Sequence, residues 1–234
     1  MNYFANFLTL LSLACGFVSI IFSIEGHFTF SCWAIILAVI LDGLDGQIAR
    51  KNPIPNDFGK ELDSLVDVVS FGIATSILGY IFIYRAFYFW ASLALFIYLS
   101  CSVMRLAKYN ITPKDKMVNY FYGLPTTVSG GILASFILIY RKGKDISPLP
   151  QSIPIIFLFI VLFLAFLMVS RVRYLNLDGL KQFFGRKTKL TVLVLAILLF
   201  FAIFLRKAGV AIFTLFLIYL LFSPFVVKRL NGDR

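Results

Sequence analysis

Long apolar runs, interrupted by short charged or turn-rich segments, make up most of this chain. An α-helix needs about 20 apolar residues to cross the hydrocarbon layer of a bilayer, and most of the runs are near that length. The pattern therefore predicts an all-α, polytopic integral membrane protein with about eight transmembrane helices. These cover residues 4–24, 28–49, 59–84, 87–107, 121–140, 152–170, 189–205 and 208–227. Because only Arg206 and Lys207 separate the last two runs, a re-entrant hairpin is an alternative there.

The composition agrees with a membrane protein. Of the 234 residues, 60% are apolar and 14% are charged, whereas soluble domains carry about 25% charged residues. This balance excludes a soluble globular domain, a disordered chain and a disulfide-stapled secreted module. Cys15, Cys32 and Cys101 all lie in apolar runs and are interpreted as small core residues. With His27 as the single histidine, the sequence argues against histidine-based catalysis or zinc binding.

The distribution of basic residues predicts the orientation in the membrane. The chain has 22 lysines and arginines against 11 acidic residues, for a net charge of +11. With the N-terminus inside, the cytoplasmic segments hold 16 of the 22 and the outer segments hold 6. The positive-inside rule then predicts an N-in, C-in arrangement. We attribute the basic excess to contact with anionic membrane lipids, not nucleic acid, and expect a multi-pass protein of the plasma membrane.

The acidic residues are few but clustered. Six of the eleven fall within 26 residues: Asp42, Asp45, Asp57, Glu61, Asp63 and Asp67. The first two aspartates share one helix face, and the small residues Gly46 and Ala49 lie on that same face. The last two share a face of the next helix with Gly59. The loop between these helices carries two prolines and can reverse the chain, so we expect four carboxylates to converge at the cytoplasmic end.

Four converging carboxylates need a counter-charge, because they repel each other at low dielectric. Ligands that offer only oxygen suit hard divalent cations, so we expect two ions of Mg²⁺ or Mn²⁺, with Ca²⁺ as a further candidate. Two such ions can bridge phosphate oxygens, which suits phosphoryl transfer. The small residues leave room for a nucleotide, and Arg50 at the end of the helix can hold a phosphate.

Two other classes of protein explain the acidic cluster less well. Ion-coupling sites of transporters lie near the bilayer midplane, but Asp42 is only about 12 Å along its helix from Arg50 at the cytoplasmic end. A structural membrane scaffold needs no such cluster. Aspartates that are merely solvated helix ends would have no reason to alternate with small residues at helical spacing.

The acidic segment resembles the signature of the CDP-alcohol phosphotransferase family, D-x2-D-G-x2-A-R-x8-G-x3-D-x3-D, at every fixed position from Asp42 to Asp67. The resemblance implies a six-helix catalytic core, here within residues 1–180, followed by a two-helix extension over 181–234. It also implies an enzyme that transfers a phosphatidyl-type group from a CDP-activated donor to an alcohol and releases CMP. A homodimer is common in this family and is expected here.

The same resemblance implies roles for individual residues. Two divalent cations would be held by Asp42, Asp45, Asp63 and Asp67. The last of these aspartates would also be the general base. The nucleotide and its diphosphate would be held by Asn6, Thr9, Gly46, Ala49, Arg50 and Gly59. The first two of these match an N-x2-T pair of the family.

Further segments resemble the bacterial and archaeal phosphatidylserine synthases within that family. They are Asn6–Phe17, Arg105–Asn110, Tyr122–Thr126 and Met168–Tyr174. This likeness implies L-serine as the acceptor and CDP-diacylglycerol or CDP-archaeol as the lipid donor. Glycerol 3-phosphate and inositol phosphate remain alternative acceptors, because their phosphate would also bind a basic group.

The candidate residues for the acceptor or its phosphate are Arg105, Lys108, Asn110, Arg171 and Arg173. All are predicted near cytoplasmic helix ends, level with the aspartates. The charged ones have a second interpretation as positive-inside anchors or contacts to lipid headgroups. The turn that begins at Gly123 could offer hydroxyls and carbonyls to the serine ammonium, or simply begin a helix.

Overall fold

A computed structural model describes residues 3–51, 57–84, 86–112, 120–140, 150, 152–176 and 208–232 of the chain. Its helices are α1 (Tyr3–Ile24), α2 (Phe28–Lys51), α3 (Asp57–Asp67), α4 (Ala74–Ile83), α5 (Tyr88–Ile111), α6 (Thr126–Tyr140), α7 (Ser152–Val169) and α8 (Ala208–Gly232). A π-helical turn over Val68–Ile73 joins α3 to α4. Two short strands, β1 (Tyr120–Tyr122) and β2 (Arg173–Leu175), complete the described elements.

Six helices in the described ranges are long and apolar enough to cross a membrane. They are Tyr3–Ile24, Phe28–Ala49, Phe58–Ile83, Tyr88–Ile111, Ser152–Val169 and Ala208–Lys228. Each coincides with a helix predicted from the apolar runs, which confirms a multi-span helical protein. The third of these spans contains α3, the π-helical turn and α4 in one continuous rod. The predicted helix over 189–205 lies outside the described residues.

The start of the predicted helix over 121–140 is wrong. The structure begins α6 at Thr126 and gives it 15 residues, because an irregular turn precedes it. In that turn Gly123 has a φ of +76°, which ordinary residues rarely adopt. Pro125 follows and has the fixed φ that suits a residue at the very beginning of a helix.

A two-stranded sheet is the exception to the all-α prediction within the described ranges. Strands β1 and β2 pair antiparallel, with Tyr120 opposite Leu175 and Tyr122 opposite Arg173. Three-residue strands in a long loop give little periodic signal in a sequence, and their pairing depends on a partner more than fifty residues away. The pairing ties the segment before α6 to the segment after α7.

The π-helical turn lies directly after Asp67 and widens the helix at that point. The Tyr98 hydroxyl from α5 donates a hydrogen bond to the Phe71 carbonyl oxygen inside the turn, at 3.2 Å. The same hydroxyl is 3.0 Å from Ser129 Oγ on α6. Neighbouring helices therefore hold this irregular turn through polar contacts in an otherwise apolar core.

Helices α1 and α2 pack closely through small side chains. The buried face of α1 repeats every three or four residues and consists of Ala5, Thr9, Ser12, Gly16, Ser19 and Ser23. Small residues allow helix backbones to approach each other closely inside a membrane. At Gly16 a Cβ atom would overlap Ser70 of the π-helical turn, so α1 also lies close against that turn.

The last helix packs on the rest of the described bundle. A Cβ atom at Gly131 of α6 would overlap the Phe216 ring of α8, so these two helices are in tight contact. The Tyr219 hydroxyl donates to the Leu175 carbonyl oxygen at 2.7 Å, and the Leu175 N–H donates to Ser223 Oγ at 2.5 Å. Helix α8 therefore supports both α6 and β2.

Candidate active site

Three aspartates from two helices meet in the interior of the bundle. One carboxylate oxygen each from Asp42 on α2 and from Asp63 and Asp67 on α3 lies within 4.8 Å of the other two. The Asp42 carboxyl is in hydrogen-bonding contact with both of the α3 carboxyls. The four-residue spacing on α3 places its two aspartates one turn apart on a single face, and both carboxylates lie close to that of Asp42.

The chemistry of this triad fits a hard divalent cation. Carboxylates this close repel each other unless a proton or a cation lies between them. The donors are carboxylate oxygens, which Mg²⁺, Mn²⁺ and Ca²⁺ prefer. Asp67 is only 8% exposed, so bulk water does little to offset the charge. The residues present therefore suit a cation-binding role.

Asp45, the fourth predicted ligand, lies beside the triad but is held separately. Its Oδ2 accepts a hydrogen bond of 2.7 Å from Thr9 Oγ1 of α1, and its carboxylate also contacts the backbone N–H of Gly46. Asp45 is 3% exposed, and its charge interacts with those of the three converging aspartates. A carboxylate with two fixed donors keeps one orientation.

A threonine links Asp67 to a half-buried cation. Arg105 Nη1 donates to Thr126 Oγ1 at 3.1 Å, and the same hydroxyl donates to Asp67 Oδ2 at 3.3 Å. The charge of Arg105 also interacts directly with those of Asp67 and Asp42. Arg105 Nε is buried and has no hydrogen-bond partner among the described residues. This guanidinium therefore keeps an unused donor close to the carboxylates.

The turn before α6 determines where Thr126 lies. The Gly123 N–H donates to the Val172 carbonyl at 2.8 Å, and the Leu124 N–H donates to the Leu167 carbonyl at 3.1 Å. A Cβ atom at Gly123 would overlap the Met168 carbonyl oxygen. The first residue of α6 is thus fixed by backbone contacts to the end of α7.

The predicted nucleotide-binding residues are distributed over the three helices α1, α2 and α3. Asn6 and Thr9 are on α1, with Thr9 buried against Asp45, as described above. Gly46 and Gly59 are half-buried on α2 and α3, and Ala49 on α2 is exposed. Arg50 belongs to α2, but its side chain is not among those the structure describes.

The five predicted acceptor residues separate in the structure. Arg105 is the one described above, next to Asp67. The Asn110 amide instead joins α5 to α3, because its Oδ1 accepts from Ser64 at 3.2 Å and its Nδ2 donates to Glu61 at 3.3 Å. The remaining three are exposed: Lys108, Arg171 and Arg173.

Arg173 lies over two aromatic rings of the small sheet. Its guanidinium carbon is 4.9 Å from the ring centroid of Tyr120 and 5.7 Å from that of Tyr122. These are cation–π distances. The contacts account for the position of Arg173 within the sheet without any ligand.

Two threonine hydroxyls are the contacts that sequence reasoning missed. The Thr9 hydroxyl donates to Asp45, and the Thr126 hydroxyl lies between Arg105 and Asp67. The sequence predicts neither contact. The one available signal was a threonine directly after Gly123-Leu-Pro125, where a helix begins. That signal identifies a helix start but not the carboxylate across the bundle.

Comparison with known proteins finds one matching family and several relatives. Residues 2–167 match the CDP-alcohol phosphatidyltransferase family. A CDP-diacylglycerol–serine O-phosphatidyltransferase of Helicobacter pylori is 31% identical over 195 residues, which cover 83% of this chain and 79% of the relative. An archaetidylserine synthase of Methanothermobacter thermautotrophicus is 34% identical, over 75% of this chain and 70% of the relative. A CDP-diacylglycerol–serine O-phosphatidyltransferase of Methanocaldococcus jannaschii is 30% identical, over 98% and 95%.

Proposed function

The chain belongs to the CDP-alcohol phosphatidyltransferase family, and from that premise we propose that it makes phosphatidylserine or its archaeal ether-lipid counterpart. It transfers a phosphatidyl or archaetidyl group from CDP-diacylglycerol or CDP-archaeol to the hydroxyl of L-serine, and CMP is released. The relatives named above as serine transferases and an archaetidylserine synthase support serine as the acceptor.

The observation that carries the proposal is the meeting of three carboxylates with a guanidinium whose Nε is buried. Asp42, Asp63 and Asp67 converge within 4.8 Å, and Arg105 lies next to them with an unpartnered Nε. An anionic cluster that needs cations suits a diphosphate donor, and an adjacent fixed cation suits an anionic acceptor. Neither a scaffold nor a simple membrane anchor needs both.

The four aspartates would hold two divalent cations, with Asp42, Asp63 and Asp67 on one side and Asp45 next to them. When bound, such cations neutralise the diphosphate of the donor and polarise its lipid-side phosphorus. Thr9 holds the Asp45 carboxylate by its 2.7 Å hydrogen bond, so this ligand needs no reorganisation. We take Mg²⁺ or Mn²⁺ as the physiological ion.

Asp67 acts as the general base of the transfer. It takes the proton of the serine hydroxyl, and the serine oxygen forms a bond to the lipid-side phosphorus. The bond from that phosphorus to the CMP oxygen breaks in line, and CMP leaves with the electron pair. Arg50, at the end of α2, stabilises the negative charge on the departing CMP.

Arg105 binds the serine carboxylate. A guanidinium offers two parallel donors to a carboxylate, and the Nε of Arg105 is free for one of them. Its link to Asp67 through Thr126 supports a carboxylate site beside the base. A phosphorylated acceptor would use the same cation, so glycerol 3-phosphate and inositol phosphate remain the alternative acceptors.

The nucleotide lies over the small residues of the same helices. Gly46, Ala49 and Gly59 present little side chain next to the carboxylates, which leaves space for the cytidine diphosphate. Asn6 and Thr9 contact it from α1. Lys108, Arg171 and Arg173 are exposed and interact with anionic lipid headgroups at the membrane surface.

The enzyme is a multi-pass protein of the plasma membrane whose active site faces the cytoplasm, and it forms a homodimer. The excess of basic residues in the predicted cytoplasmic segments supports this orientation, 16 against 6. The lipid donor keeps its tails in the bilayer while its cytidine diphosphate reaches the aspartates from the cytoplasmic side.

One assay tests the proposed function. Purified protein is given CDP-diacylglycerol with Mg²⁺ or Mn²⁺ and one of four acceptors: serine, glycerol 3-phosphate, inositol 3-phosphate or inositol. We expect CMP release that depends on serine and on the cation. Release with a phosphorylated acceptor alone would reassign the substrate. No CMP with any acceptor would contradict the enzyme, and solute flux without CMP would favour a transporter.

A further inference from the structure

Thr126 bridges the two side chains on which the proposed reaction with serine depends. We propose that Thr126 is a positioning residue that holds the Asp67 carboxylate and the Arg105 guanidinium at a fixed separation, and that this separation suits a short hydroxy acid. The inference rests on the proposed function and deepens it, because it concerns how the acceptor is selected.

The Thr126 hydroxyl donates its single proton to Asp67 and accepts a hydrogen bond from Arg105. The hydroxyl has one proton, which it donates to Asp67 Oδ2 at 3.3 Å, and a lone pair accepts from Arg105 Nη1 at 3.1 Å. Thr126 is fully buried, so water does not compete for these contacts. The β-branched side chain also has restricted rotamers, which limits how far the hydroxyl can move.

This arrangement leaves a donor of the cation free close to the base. Arg105 keeps Nε, which has no partner among the described residues, while the Asp67 carboxylate lies on the other side of the Thr126 hydroxyl and also contacts Asp42. The Asp67 carboxylate and the Arg105 guanidinium are thus connected by two hydrogen bonds that share the Thr126 Oγ1 atom. In serine, two carbons separate the hydroxyl oxygen from the carboxylate group, so a short molecule can contact both at once.

A chain of hydrogen-bonding contacts connects Thr126 to the π-helical turn that follows Asp67. Ser129, one turn along α6, donates to the Thr126 carbonyl oxygen at 2.8 Å and contacts the Tyr98 hydroxyl at 3.0 Å. Tyr98 in turn donates to the Phe71 carbonyl in the π-helical turn that follows Asp67. The backbone and the carboxylate of Asp67 are thus held by one connected set of contacts.

The test compares three variants in a detergent-solubilised enzyme. Thr126→Val keeps the shape but removes the hydroxyl, Thr126→Ser keeps the hydroxyl, and Thr127→Val removes a hydroxyl from the neighbouring, half-buried residue of the same turn. CMP release gives kcat and KM for serine and for the CDP-activated lipid. The apparent melting temperature reports whether each variant is folded.

We expect Thr126→Val to lose about 10²-fold in kcat with serine, because a misplaced base costs that much. Its KM for serine should rise, while its KM for the CDP-activated lipid stays within about twofold of wild type. Thr126→Ser should recover most of kcat, and Thr127→Val should match wild type. If Thr126→Val does not fold, Thr126→Ala is compared with Thr126→Ser in the same way.

Two results would overturn the inference. One is wild-type kcat and serine KM in folded Thr126→Val. The other is a folded Thr126→Ser that is as defective as the valine variant, since the hydroxyl would then not be the group that matters. Both results require an active wild type, so they are distinct from failure of the proposed function, in which the wild type itself releases no CMP.

Discussion

At the scale of single residues, four aspartates of the same chemistry have different surroundings. Asp67 accepts from Thr126 and lies near Arg105, whereas Asp45 accepts from Thr9 and from the backbone of its own helix. Of the four, Asp67 is the carboxylate that the Thr126 hydroxyl links to the Arg105 guanidinium. These surroundings, not the residue type, support Asp67 as the base.

Substitution of the proposed base should stop the reaction. We expect Asp67→Asn to lower serine-dependent CMP release by about 10²- to 10⁴-fold, the usual worth of a general base, while the protein stays folded. The measurement is CMP release at saturating substrates together with thermal unfolding in detergent. Glu61→Gln is the matched control, since it removes an exposed charge from the same helix. CMP release at the wild-type rate in Asp67→Asn would rule out the assignment of the base.

Substitution of the proposed carboxylate-binding cation should act on the acceptor. Lysine keeps the positive charge but cannot form the two parallel hydrogen bonds of a guanidinium. We therefore expect Arg105→Lys to raise the KM for serine by about tenfold, corresponding to about 1.4 kcal/mol of binding, with a small effect on the KM for the CDP-activated lipid. Steady-state kinetics with each substrate varied in turn measures this. An equal rise in both KM values would instead indicate a general disturbance of the site.

At the scale of elements, the site depends on the turn that begins α6 and on the π-helical turn that follows α3. The turn at Gly123 fixes the first residue of α6, and the π-helical turn after Asp67 is held by Tyr98. Irregular backbone inside a membrane protein must find hydrogen-bond partners within the protein. The Leu167 and Val172 carbonyls provide such partners for the turn before α6, and the Tyr98 hydroxyl provides one for the π-helical turn.

Three glycine variants separate the effects of strain and overlap. Gly123 combines a φ of +76° with a Cβ position that overlaps the Met168 carbonyl oxygen, so we expect Gly123→Ala to destabilise by more than about 2 kcal/mol. Gly26 has a φ of +78° but open space, so Gly26→Ala should cost about 1 kcal/mol. Gly43, helical and in open space, should tolerate alanine.

Thermal unfolding in detergent measures the order of the three variants. We expect Gly43→Ala to have the highest melting temperature, Gly26→Ala a lower one, and Gly123→Ala the lowest. If Gly123→Ala were as stable as Gly43→Ala, the turn before α6 would not be rigid, and the position of Thr126 would need another explanation.

At the scale of the whole molecule, the candidate site gathers helix ends that lie at one end of the described helix bundle. Aspartates near the end of α2 meet aspartates near the start of α3, and Arg105 near the end of α5 meets the start of α6. Successive spans run in opposite directions, so these ends share a side. Helix α8 packs on α6 and β2 and thereby supports the site from outside.

Thiol labelling tests which side that is. In a background without Cys15, Cys32 and Cys101, we expect Glu25→Cys to react with a membrane-impermeant maleimide in intact cells, because the positive-inside rule predicts that the loop after α1 lies outside. Ile111→Cys, at the exposed end of α5, should react only after permeabilisation. The reverse pattern would contradict the orientation derived from the positive-inside rule and place the aspartates on the outer side.

Local features of the fold and the site were readable in the sequence. The length of each apolar run sets whether a helix can cross the bilayer, and helical periodicity puts Asp63 and Asp67 on one face, because both properties depend only on neighbours along the chain. The acidic segment also carried the family resemblance. The short β1 and β2 strands and the late start of α6 depend on contacts between distant segments, so they were not predicted.

The sequence predicted that the carboxylates converge, but only the tertiary structure decided which other groups they meet. It placed Asp45 against Thr9, placed Thr126 between Arg105 and Asp67, and turned Asn110 toward α3 instead of the carboxylates. These contacts join residues that lie 20 to 60 positions apart. Such distances are closed by helix packing and by turns held through backbone hydrogen bonds, and no local pattern encodes which side chain will be opposite.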